Sequence, residues 1–100
     1  MSKIAIIGQM TAKAGQFDTY LGHMTEHARA SRKEQGCVRF DVVVPKKLEN
    51  TLMIYEIWAD RGALDTHAGS DRIKAYREAT QDLVADSKLT FCDLHDSPDA

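Results

Sequence analysis

Two cysteines, two prolines and one tryptophan are all that this chain of 100 residues carries of the types that most constrain a small fold. Cys37 and Cys92 are too few for the disulfide framework of a small secreted domain or for a metal-ligand quartet. They read as reduced thiols of a cytoplasmic protein. No sign of charge dominates: 13 basic against 15 acidic residues leave a formal net charge of −2, without the basic footprint of a nucleic-acid binder. No apolar run approaches the length of a signal-peptide core or a spanning helix, so no membrane partner is expected. Gly8 and Gly15 stand alone, and there is no phosphate loop, no G-x-S-x-G and no C-x-x-C. His23 and His27 have the spacing of a metal-binding pair, but no third ligand is evident, and a helix flank is the plainer reading. Neither metal nor cofactor is expected.

What is present is enough apolar residue, 43% of the chain, for one core, so residues 1–100 read as a single domain. The core spans about residues 3–95, and the polar tail 96–100 is expected to fray. Lys3 to Met10, short and rich in isoleucine, predicts a strand. From Ala14 to about Glu34, the residues Phe17, Tyr20, Leu21, Met24, Ala28 and Ser31 recur at steps of three and four, one helical stripe stopped by Gly36. Val38, Phe40, Val42 and Val44 alternate with Cys37, Arg39 and Asp41 up to Pro45, and Thr51 to Trp58 follows after a polar link as the second arm of a hairpin. Asp60 caps a short helix through His67, and Ser70 caps another running to about Val84. Ser87 to His95 is the last strand. The order predicts an α+β fold, the ferredoxin-like βαββαβ arrangement with both helical segments on one face of an antiparallel sheet.

The strands are apolar on both parities. Ile4 and Ile6 face one way and Ala5 and Ile7 the other, and Leu52 and Ile54 oppose Met53, Tyr55 and Ile57. Helices can cover only one of these faces, so the other is expected to pack on a second copy, making a homodimer.

His67 falls on the same side of its short helix as Ala63 and Leu64, and an imidazole turned inward needs a polar partner or a task. Trp58 ends the strand just before, so the turn between them can bring both rings to one pocket. His27, beside Tyr20 at the edge of the apolar stripe, is a further candidate contact, as are Tyr55 and Tyr76. Arg39, whose fork of donors suits an anion, shares one parity of its strand with Asp41.

Taken together, Glu34-Gln35-Gly36-Cys37, Tyr55-Glu56-Ile57-Trp58-Ala59-Asp60, Ala63-Leu64 with His67, and Lys74-Ala75-Tyr76 resemble the antibiotic biosynthesis monooxygenase domain family, in particular its small quinol monooxygenase members. The likeness covers about residues 3 to 95. It implies a dimeric α+β barrel, a pocket between helices and sheet, and oxygenation of a phenolic or quinol substrate without metal or flavin. The pattern departs at Asp71 and Arg72, where the family often has a proline and a second histidine, so a site needing two histidines would lose one.

The function expected is therefore a cofactor-independent monooxygenase acting with O2 on a small aromatic, phenolic or quinone-like substrate. His67 would be the general base, Trp58 would stack on the substrate ring, and Tyr55, Tyr76 and His27 would line the pocket. Two alternatives use the same cavity. One is an isomerase of a small phosphorylated dione, to which the segments around Arg39 and Tyr55 are also similar, with Arg39 holding the phosphate. The other is a non-enzymatic module that only binds a small ligand.

Overall fold

The computed structural model describes residues 3–100. Four strands and three helices follow one another as β1 (Ile4–Ala12), α1 (Phe17–Ser31), β2 (Cys37–Val43), β3 (Thr51–Trp58), α2 (Arg61–Ala68), α3 (Asp71–Thr80) and β4 (Val84–Asp93). The sheet is antiparallel throughout, in the order β2-β3-β1-β4, the ferredoxin-like α+β arrangement with the second helical segment divided in two. Asp60 accepts from the Ala63 amide to start α2, and the Ser70 hydroxyl accepts from Ile73 to start α3.

Register sorts the two faces. Ile4 lies opposite Trp58, Ile6 opposite Glu56 and Phe91, and Met10 opposite Leu52. Of these, Ile4, Ile6, Met10, Leu52 and Trp58 pack with Phe40 against Tyr20, Met24, Ala28 and Leu64, and this layer is the core. Ala5, Ile7, Tyr55, Ile57 and Arg39 share the far face.

Gly8 leaves room that no other residue would: a Cβ there would lie 2.7 Å from Ile54 Cγ1 and 2.8 Å from Leu89 Cδ2. Gly36, at φ +86°, combines a left-handed turn with a close approach to Ala63, which docks the start of β2 beneath α2.

Several element ends differ from the sequence expectation. Helix α1 starts at Phe17 and not at Ala14, because Gly15 has φ +78° and the Gln16 amide closes a turn onto Lys13. It stops at Ser31, and the Lys33 and Glu34 amides then make tighter turns onto Ala30 and Ser31, which release Glu34 from the helix axis. Helix α3 ends at Thr80 where the Leu83 amide bonds back to it, so β4 starts at Val84, opposite Ala12, and not at Ser87. The tail makes several contacts with the body of the domain. The Leu94 amide bonds to Lys3, Lys3 Nζ donates to the Asp99 carbonyl at 2.5 Å, and Arg39 reaches the Asp99 carboxylate at 3.4 Å. Arg39, which holds the tail through Asp99, lies on the far face opposite Ile57, and Ile57 is wholly buried. Among the described residues no helix is long and apolar enough to cross a membrane.

Candidate functional site

Between the sheet and the three helices lies a cavity of about 350 Å³. Its floor is apolar, with Ile6, Met10 and Ile54 from the sheet and Met24, Leu64 and Ile73 from the helices. Leu89 and Phe91 line it as well, and they are 50% and 62% exposed, so the mouth lies beside the edge strand β4. Set into this wall are Glu56, His67, His27, Tyr20 and Tyr76.

His67 is buried in the last turn of α2. Its Nδ1 lies 2.9 Å from one oxygen of Glu34 and 3.1 Å from the other. Burial alone would raise the Glu34 carboxyl, but the bonds from His67 and from Arg72 outweigh that and hold it below the usual carboxylate range. A carboxylate only accepts, so His67 carries its proton on Nδ1 and leaves Nε2 as a lone-pair acceptor. Burial lowers the His67 pKa, Glu34 opposes this in part and Arg72 adds to it. The ring is accordingly neutral near pH 7 and able to accept a proton.

Arg72 organises the other side. It donates to Glu34 at 2.5 Å, to the Ser31 hydroxyl at 3.0 Å and to His27 Nδ1 at 2.9 Å. A guanidinium has no lone pair to offer, so His27 accepts at Nδ1 and bears its hydrogen on Nε2. The His27 ring stacks on Tyr76 with centroids 4.2 Å apart and lies 5.4 Å from His67. The cavity thus has a second histidine, supplied by α1 and held by Arg72.

Burial, then the Arg72 and His67 charges, depress the His27 pKa to about 4. The unfolded chain takes up this proton near pH 6.5 and the folded one does not, so stability falls as pH drops from about 6.5 to about 4. The loss expected is about 2 kcal/mol once partial solvation of the ring is allowed for. Glu34, held below its ordinary range, acts in the same sense at lower pH. Denaturant midpoints measured down this range, with His27→Phe giving a flatter curve than the wild type, check the assignment.

Trp58, expected to stack on a substrate, is wholly buried and is not among the residues that line the cavity. Its ring lies 4.5 Å from that of His67, and its Nε1 donates to Glu56 at 2.9 Å. It stands behind two groups of the wall and fixes both. Tyr76 lines the cavity, its hydroxyl 3.5 Å from that of Tyr20, and burial raises both phenols. Tyr55 and Arg39 are not brought to the cavity. They lie on the far face, where Arg39 bonds Asp41 at 2.5 Å and its guanidinium sits 5.9 Å from the Tyr55 ring centroid. The alternation of β2 and β3 put both residues on the parity opposite Phe40 and Ile54, and that parity decides the matter. His23 is not drawn in with His27, and no group of three or more potential metal ligands occurs among the described residues.

The sequence reading did not single out Glu34, Arg72 or Glu56 as site residues. Glu56 left a signal, a carboxylate on the same parity as Leu52, Ile54 and Trp58. Glu34 and Arg72, 38 residues apart, left none.

The family model described as antibiotic biosynthesis monooxygenase matches residues 3–79. An uncharacterised protein of Synechocystis is 24% identical over 82 residues, 82% of this chain, and the chain spans only 56% of that relative's length. Among solved structures, a Mycobacterium tuberculosis protein superposes with a TM-score of 0.89 at 22% identity over 97% of this chain and 99% of its own. A Pseudomonas aeruginosa protein gives 0.89 at 19% over 96% and 97%. A candidate antibiotic biosynthesis monooxygenase from Deinococcus radiodurans gives 0.87 at 24% over 94% of each chain. At these identities the superpositions speak for the fold.

Proposed function

Because this chain belongs to the antibiotic biosynthesis monooxygenase family, we propose that it is a monooxygenase that uses O2 on a small phenolic or quinol substrate, without metal or flavin. The observation that carries the proposal is the Glu34–His67 pair, a buried imidazole with its Nδ1 anchored on a carboxylate at the wall of an apolar cavity. Dioxygen is a triplet and reacts slowly with closed-shell molecules, so a substrate that supplies its own electrons has first to be made electron-rich. His67 Nε2 accepts the phenolic proton, and the apolar wall keeps water from quenching the phenolate. His27, with its hydrogen on Nε2, supplies a donor in the same wall, beside Tyr76. The cavity lies at the lower end of the ~300–1000 Å³ typical of small-molecule sites, which suits one or two fused rings.

The homodimer is part of the same proposal. The far face shows Ile7 44% and Val43 52% exposed around Tyr55, an apolar surface that a second copy would cover. Light scattering then gives twice the 11.2 kDa of one chain. The test of the chemistry is O2 uptake with a panel of chemically reduced quinols. Uptake above background, with an oxygen atom appearing in the organic product, is expected. Background uptake across the panel, together with tight binding of the same aromatics, would leave a ligand-binding module instead.

A further inference from the structure

One ionisable group of the cavity wall has no part in taking the substrate proton. Glu56 sits at the middle of β3 between Ile54 and Trp58, opposite Ile6 on β1 and Phe40 on β2, and is 5% exposed. None of the ion pairs among the described residues includes it, and Arg72 is committed to Glu34, Ser31 and His27. Oε1 accepts from Trp58 Nε1. Oε2 has no partner among the described residues, yet no buried side-chain nitrogen or oxygen is left unpartnered, so this oxygen borders the free space of the cavity that Glu56 lines. Burial raises the carboxyl above its ordinary range and the Glu34 charge adds to this, with only the indole bond opposing. His67 is biased the other way by burial. Two titratable groups pushed apart in one cavity form an acid and base pair.

We propose that Glu56 is a further catalytic residue of this cavity, delivering a proton to the oxygen atom that leaves as water when the dioxygen adduct of the substrate breaks down. The inference rests on the monooxygenase reading above. The overall reaction is quinol plus O2 to hydroxyquinone plus water, with no outside reductant. His67 takes the phenolic proton, and the ring carbon beside the oxygen bonds to one atom of O2. Glu56 protonates the distal oxygen of this peroxide. The Glu56 carboxylate then takes the proton from that ring carbon, the C–H pair becomes the second bond of the new C=O, and the O–O bond breaks. The departing hydroxide collects the proton held by His67. The substrate loses four electrons, O2 gains four, and both side chains end as they began.

Glu56→Gln keeps an oxygen for the Trp58 bond but has no acidic proton to give. With the wild type, catalase added after O2 uptake should return no O2. With Glu56→Gln, hydroxylated product should fall about 100-fold. The adduct should instead collapse to simple quinone and hydrogen peroxide, so that catalase returns up to half of the O2 consumed. A second readout needs no variant. Glu56 faces Glu34, His27 and Tyr20 from α1 and its following turn, His67 from α2, Tyr76 and Arg77 from α3, and Cys37 from β2. Of these, an acid that must hold its proton predicts that the coupled fraction in the wild type falls as pH rises through the Glu56 transition. Peroxide-free, undiminished hydroxylation by folded Glu56→Gln, or a coupled fraction flat into the alkaline range, overturns the role of Glu56 alone. No O2 uptake by the wild type overturns the monooxygenase reading and this step with it.

Discussion

His67→Ala lowers quinol-dependent O2 uptake by about 100-fold or more at neutral pH, with only a modest change in the affinity for a non-reacting aromatic. The expectation follows from how the imidazole is held. Nδ1 is fixed on Glu34 and the ring face is fixed by Trp58, so Nε2 is left pointed and unprotonated. Glu34→Gln separates positioning from polarity. It keeps a side chain near Nδ1 but loses the charge that partly offsets the burial of His67. The acid limb of the rate profile, set by the proton that His67 must not yet hold, should therefore move to lower pH in this variant. The maximal rate falls less than in His67→Ala. Uptake by His67→Ala equal to that of the wild type would remove the imidazole from the chemistry, whatever the cavity binds.

Trp58→Ala is expected to cost about 3–5 kcal/mol of stability, the range for emptying a buried aromatic site. The indole is wholly buried, packs on His67 and belongs to the main core cluster. Its removal opens a void and leaves Glu56 Oε1 without its donor. A domain of this size is usually stable by only about 5–15 kcal/mol, so the variant sits close to its unfolding threshold. Trp58→Phe keeps most of the packing but not the donor and should lose roughly 1–3 kcal/mol. Urea unfolding of the three proteins, read by circular dichroism, would decide it. A phenylalanine variant as unstable as the alanine one would mean that the hydrogen bond to Glu56, and not the filled volume, holds this part of the sheet.

The fold was legible because its strands and helices carry clean periods. The stripe of Phe17, Tyr20, Met24 and Ala28, the alternation around Phe40, and the caps Asp60 and Ser70 all act over a few residues. The ends were less so, since they turn on contacts with distant segments, such as the Ala12 amide on Asn50 and the Lys13 amide on Leu83. In the site, His67 could be turned inward from helical spacing alone. The carboxylate that anchors it could not be seen, because the pair spans 33 residues and depends on α1 ending at Ser31. Arg72 read as a histidine lost, and in three dimensions it is what holds His27 in the same wall. Trp58 had the parity of the cavity face, but parity cannot tell a side chain that reaches a void from one that lies behind it.

The missing side chain at Gly8 leaves Ile54 and Leu89 where they are, and both form part of the cavity wall. The shape of the cavity is thus set partly by a position that does not line it. One methyl group added to β1 would force those two neighbours to shift, a dial on the girth of the cavity that leaves His67, Glu34 and Glu56 untouched.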